Sequence, residues 1–212
     1  MTTPAGPWHL ECLEPSQRAA ASALAARLGS RGAFLGGGSA LALRFGHRRS
    51  RDLDWFTTDR FDSLALAQDL LATLPLSGIR TEPNTLHAEL DGVPLSVIRF
   101  AYRVDPPDDA GIAPVAALRT SACMKLLAIA NRGYKRDFID LACLLRHGSD
   151  LPTLMAWAQE DLPGLSRETM LRALTWYDDA DLQPMPDCVP GWTWEAVTSE
   201  IRAAVRAAAR MP

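Results

Sequence analysis

Residues 34–56 read Phe-Leu-Gly-Gly-Gly-Ser-Ala-Leu-Ala-Leu-Arg-Phe-Gly-His-Arg-Arg-Ser-Arg-Asp-Leu-Asp-Trp-Phe, and the fold turns on this stretch. The apolar run Ala33-Phe34-Leu35 predicts a short strand. Gly36-Gly37-Gly38-Ser39 predicts a turn, and Ala40 to Phe45 a short helix with Ser39 near its N-cap. After the basic segment His47 to Arg51, the aromatic and β-branched run Asp52 to Thr58 predicts a second strand. A glycine turn that opens a helix presents unpaired backbone N–H groups and a positive helix end, which holds phosphate without a dedicated side chain. Gly37 and Gly38 would let the backbone approach, and the Ser39 hydroxyl would add a donor. Asp52 and Asp54 stand at i and i+2 of the strand, on one face and about 7 Å apart. Leu53, Trp55 and Phe56 mark that strand as packed, and packed acids repel unless a cation or basic partners neutralise them. Mg²⁺ suits such a pair, because it takes one or two protein carboxylates and fills its octahedron with phosphate oxygens and water. Each motif also has a plainer reading: a flexible turn for the glycines, and solvated surface acids for the Asp-x-Asp pair.

Outward from this stretch, Pro15-Ser16 to Gly29 has a helix start, an Ala/Leu-rich body and a glycine stop. Phe61 to Leu74 predicts an amphipathic helix. Ile79 to Glu82, Thr85 to Leu90 and Val93 to Tyr102 predict a β-meander turning at Asp91-Gly92. Pro94 places the last strand's start at an edge or bulge, and Asp105 to Asp109 read as a loop. From Ala117 the pattern is helical, which divides the chain into an α+β part over 1–116 and a helical part over 117–212. The tail is expected to hold two or three helices, including 166–177 and 193–210. Within the helical part, Lys125 lies in an apolar helix where an unpaired ammonium is costly, so it must reach a cleft, a carboxylate or a phosphate. Asp137 and Asp140 share a helix face at i, i+3.

The chain has 212 residues, 48% hydrophobic and 22% charged, which is ordinary globular usage and excludes disordered, collagenous and low-complexity classes. No run reaches the ~18 apolar residues of a membrane span, and Met1 to Glu11 lacks the pattern of a secretory leader, so a cytoplasmic location is expected. The four cysteines are far apart and form no C-x-x-C, which suits buried thiols rather than bridges or zinc. A net charge of −3 argues against generic nucleic-acid coating. Even so, the cations gather in two short segments: Arg48, Arg49 and Arg51, then Arg132, Lys135 and Arg136. These either form a groove for a polyanionic acceptor such as RNA or pair with nearby acids as surface ladders.

The run Phe34 to Phe56, followed by Lys125-Leu-Leu-Ala-Ile-Ala-Asn-Arg132 and Lys135-Arg-Asp-Phe-Ile-Asp-Leu141, resembles the AbiEii/AbiGii toxin family of the polymerase-β-like nucleotidyltransferase superfamily. The resemblance spans about residues 15–147. It implies a mixed-sheet nucleotidyltransferase fold with a helical domain, and Mg²⁺-dependent transfer of a nucleotide from a nucleoside triphosphate. In some members the acceptor is the 3′ end of tRNA, and the protein is the toxic half of a toxin–antitoxin or phage-defence pair. By position, Gly37, Gly38 and Ser39 would form the phosphate turn and Asp52 and Asp54 the metal ligands. Lys125, Asp137 and Asp140 would be the later catalytic positions. The superfamily often carries a third carboxylate on a neighbouring strand, and here Ser96 occupies that position. That departure leaves a second reading open, a module that binds nucleotide or a partner without transfer.

Overall fold

The computed structural model describes residues 7–210, so the first part of the segment read for a leader lies outside the described residues. The chain divides into two compact units, Met1–Ala117 and Leu118–Pro212.

The first unit is built on a mixed sheet. Its chain order is α1 (Pro15–Leu28), β1 (Phe34–Leu35), α2 (Gly37–Phe45), β2 (Leu53–Thr57), α3 (Ser63–Leu71), β3 (Leu76–Glu82), β4 (Thr85–Leu90), β5 (Val93–Arg99), β6 (Asp108–Asp109) and β7 (Pro114–Val115). Across the sheet the strands run β3-β4-β5-β2-β1-β7-β6, with β2 parallel to β5 and antiparallel to β1. Asp91 and Gly92, at φ 50° and 77°, form the two-residue link between β4 and β5, as an Asp-Gly hairpin requires. One face of the central strands is core: Leu53, Trp55, Leu86, Ala88, Leu95 and Val97 are buried, with α1 packed on β5 and α3 on β3 and β4. The alternate positions put Asp54, Ser96 and His87 in one cross-strand row on the opposite face.

Two expectations are corrected here. Val93 to Arg99 is an interior strand, because β2 returns parallel to it on the side away from β4. Pro94 is tolerated there because it pairs only with Glu89 of β4, and the ladder to β2 begins one residue later at Leu53 and Leu95. Within the Asp105–Asp109 loop, Asp108–Asp109 is a short strand, held by a 2.6 Å ion pair from Arg44 to Asp108.

The second unit is helical: α4 (Leu118–Asn131), α5 (Lys135–Arg146), α6 (Leu151–Asp161), α7 (Arg167–Ala173), α8 (Asp178–Asp181) and α9 (Trp194–Ala208). Its core includes Phe138 and Tyr177, on which the half-buried Trp194 packs, the three ring centroids lying 5.0–5.8 Å apart. The single helix expected over 166–177 is instead broken. The chain turns after Ala173, which brings Tyr177 inward against Phe138, and α8 starts beyond it. The four cysteines are unbridged, and no helix among the described residues is long and apolar enough to cross a membrane.

Candidate active site

Asp54 is the best-defined of the candidate side chains of the first unit. Its strand alternates buried and half-buried positions, so burial of Leu53, Trp55 and Thr57 turns Asp54 to the other face. In the register, Asp54 of β2 stands beside Ser96 of β5. The Ser96 hydroxyl donates to Asp54 Oδ1 at 2.5 Å, and Ser96 is only 4% exposed. At the position expected of a third carboxylate, then, a neutral donor holds the neighbouring acid. On the other flank, Gly36 N–H donates to the Asp54 carbonyl at 2.8 Å, which fixes the glycine turn to the strand.

That turn is shaped around two groups. Gly37 has φ +60°, and a Cβ there would lie 3.2 Å from Asp54 Oδ2, so glycine meets both a backbone and a space requirement. A Cβ on Gly38 would lie 2.1 Å from Arg48 Nη2. No side chain caps α2, whose N-cap is Gly36 rather than the expected Ser39, so its first-turn N–H groups find no partner within the helix. The Ser39 hydroxyl, expected at a phosphate, is turned inward and donates to the Asp52 carbonyl at 2.5 Å. Its one proton is thereby committed, so Ser50, 2.7 Å away, acts as donor to it. Ser50 was legible only as part of a basic run; its small polar side chain among arginines is the one signal that could have marked it. Asp52 precedes β2 and is half-buried.

The six cations separate by surroundings. Arg48 is 5% exposed, lies over Gly38 and donates to the Arg49 carbonyl at 3.0 Å. Arg49 is exposed and ion-paired to Glu14, and Arg51 is exposed. In the second unit Arg132 pairs with Asp137 at 3.1 Å and lies over the Tyr134 ring, which Arg136 also approaches. Lys135 is buried with its ammonium 5.0 Å from the Trp194 ring centroid.

Lys125, Asp137 and Asp140 form one buried cluster in the second unit. Lys125 Nζ lies 3.1 Å from Asp137 Oδ1 and 2.8 Å from Asp140 Oδ2, with side-chain exposures of 4%, 0% and 0%. The ammonium has therefore found carboxylates. Burial alone would push the Asp137 carboxyl up, but the Lys125 charge and the Arg132 hydrogen bond outweigh it and hold the group below the usual carboxylate range. Among the described residues no group of three or more His, Cys, Asp or Glu side chains is arranged to hold a metal.

This geometry can be set beside known proteins. The family model for the nucleotidyl transferase AbiEii toxin of type IV toxin–antitoxin systems matches residues 89–185. An Aquifex aeolicus protein, aq_aa25, is 33% identical over 166 residues, covering 75% of this chain and 80% of its own. The chain belongs to the AbiEii family. Its fold is that of nucleotidyltransferase toxins: MenT4 of Mycobacterium tuberculosis superposes with a TM-score of 0.54 at 14% identity, over 92% of this chain and 83% of its own. The Helicobacter pylori protein JHP933 superposes with a TM-score of 0.56 at 16% identity, over 92% and 93%. As an AbiEii member the chain is a nucleotidyltransferase of toxin type.

Two outcomes follow for the AbiEii chain. Gly38→Ala forces the Arg48 guanidinium aside and should cost about 1–3 kcal/mol. In an Arg48→Ala background most of that cost should vanish, a coupling that a urea-unfolding double-mutant cycle reads directly. For the buried cluster, the depressed Asp137 contributes stability that is full above its unfolded pKa of about 4 and lost as pH falls through the lower folded value. Lys125→Met removes the largest single influence that holds Asp137 down and leaves Arg132 alone against burial and the Asp140 charge, so much of that stability is lost at neutral pH and protonation of a carboxyl relieves the loss. The variant should lose about 3–5 kcal/mol at pH about 7 and recover part of it near pH about 5, while wild type stays flat across that window; unfolding curves at both values check this.

Proposed function

We propose that this AbiEii protein transfers a nucleotide from a nucleoside triphosphate to the 3′ end of an RNA, tRNA being the acceptor class the resemblance suggests, as the toxic partner of an antitoxin. The observation that carries this reading is Asp54 Oδ2 held against the Gly37 turn at the uncapped start of α2, with Oδ1 held by Ser96. A triphosphate is the ligand such a turn accepts, since N–H donors and a helix N-terminus both favour multiple negative charge.

Asp52 and Asp54 are the residues that would hold Mg²⁺: two carboxylates beside a phosphate turn meet that ion's preference for few protein ligands plus phosphate oxygens. Bound there, the ion supplies neutralisation of triphosphate charge during transfer. Ser39, through Ser50 and the Asp52 carbonyl, ties the turn to the segment that carries both acids. Lys125, Asp137 and Asp140, the later positions of the resemblance, are buried and bound to one another, and in this reading the two acids fix the ammonium within the second unit. Arg49 and Arg51, exposed in the first unit, are the cations offered there to an acceptor backbone, Arg49 through exchange of its Glu14 ion pair; Arg48, Arg132 and Lys135 are engaged within their own units.

Ser96 favours a second reading, a module that binds nucleotide and no longer transfers it. Calorimetry and a transfer assay separate the two. Asp54→Asn keeps shape while removing charge, and should abolish Mg²⁺-dependent triphosphate binding with little change in melting temperature; unchanged affinity overturns the metal assignment. Wild type should label RNA from a radioactive triphosphate. Binding without labelled product would establish the module instead.

A further inference from the structure

A cavity of about 370 Å³ opens in the second unit, lined by the end of α4 (Ile129, Asn131), by Arg132, by Arg172 of α7, and by Trp176 and Asp179 beyond it. It lies at the lower end of the roughly 300–1,000 Å³ typical of small-ligand sites. Trp176 is 61% exposed, although the neighbouring aromatics Phe138, Tyr177 and Trp194 pack together. A large apolar ring left in solvent at the wall of a concavity is the informative exception to burial. Arg132 is held in place from both sides, by Asp137 at 3.1 Å and by the Tyr134 ring at 4.8 Å. One guanidinium of the wall is thus preorganised, and Arg172 adds a second.

We propose that this cavity is a nucleotide-binding subsite, with the Trp176 indole as the stacking surface for one base and the Arg172 guanidinium meeting its phosphate. The carboxylate of Asp179 and the amide of Asn131 offer an acceptor and a donor–acceptor group to the edge of a base. Aromatic stacking beside arginine is how proteins hold unpaired nucleotides, because every base has a π-face and every linkage a charge. Tryptophan and arginine also dominate protein interfaces, but those anchor on the partner's side chains across a broad contact, whereas this wall encloses the volume of a single small ligand. The same chemistry fits a free nucleotide and an unpaired residue of a strand. The inference deepens the transferase reading by giving the second unit a place for a nucleotide of the acceptor, and it rests on that reading for its biological sense.

The test uses the full chain, a short fluorescein-labelled single-stranded RNA of mixed sequence, and the four nucleoside 5′-monophosphates. In wild type the RNA should bind, and Trp176→Ala should weaken it by roughly tenfold or more, the usual effect of losing one stacked base. Trp176→Phe should restore most of the affinity, and the exposed position predicts little change in melting temperature for either variant. Competition by a monophosphate in wild type but not in Trp176→Ala identifies a single-nucleotide site; a loss seen with RNA alone identifies a strand site. Equal RNA and monophosphate binding by wild type and Trp176→Ala overturns the proposal, as does absence of binding of both probes to wild type. Asp54→Asn separates the two readings. If it leaves triphosphate binding intact while Trp176→Ala still loses RNA, the metal assignment fails and the subsite stands; the opposite pattern leaves the metal site and removes the subsite.

Discussion

The parallel ladder between β2 and β5 places Ser96 beside Asp54, and a 2.5 Å hydrogen bond there sets where the carboxylate points. Much of the first unit serves that placement. Burial of Trp55 and Leu53 fixes which face of β2 Asp54 occupies, since a one-residue slip would exchange the two faces. The Asp91-Gly92 hairpin sets the pairing of β5 with β4. Gly36, bound to the carbonyl of Asp54, brings the glycine turn to the same side, and positive φ at Gly37 leaves the second carboxylate oxygen room.

The second unit solves a different electrostatic problem. Burying Lys125 with Asp137 and Asp140 removes three charges from water, which costs several kcal/mol per ion before their attraction is counted. An apolar trio of the same volume would stabilise α4 and α5 at least as well. What the charged cluster adds is geometry: Lys125 on α4 meets two acids one turn apart on α5, and Asp137 also receives Arg132. The same carboxylate thus fixes a buried ammonium and a guanidinium that reaches the unit's surface.

Local patterns were readable from the sequence; pairings across long distances were not. Alternation around Trp55 gave the face of Asp54, and the ends of α1 followed from Pro15 and Gly29, because both depend on neighbours in the chain. The need of Lys125 for a partner was also legible, since burial in an apolar helix dictates it. That Ser96 donates to Asp54 was not, because the register joins strands 42 residues apart and depends on sheet order. The same ignorance of order made Pro94 look like an edge residue. Arg48 misled for another reason: a basic run reads as solvated by default, and only the empty space above Gly38 admits its side chain. Trp176 carried no signal at all, because exposure of one indole in an amphipathic pattern depends on where α7 stops.

A serine in place of a third acid changes the charge balance around Asp54 in a definite direction. A carboxylate on β5 would sit in the adjacent strand position, within the few ångströms at which like charges push a carboxyl group's pKa up. Ser96 brings a hydroxyl donor to the same place, so a hydrogen bond stands where two carboxylates would repel. The site therefore holds Asp54 in place without a cation to bridge two acids, and has one fewer negative charge to offer one. Under the proposed reading, attraction for a divalent ion would rest on Asp52, Asp54 and the phosphate oxygens that the ligand brings, so metal and triphosphate would bind as mutually dependent partners, each supplying charge that the protein alone does not.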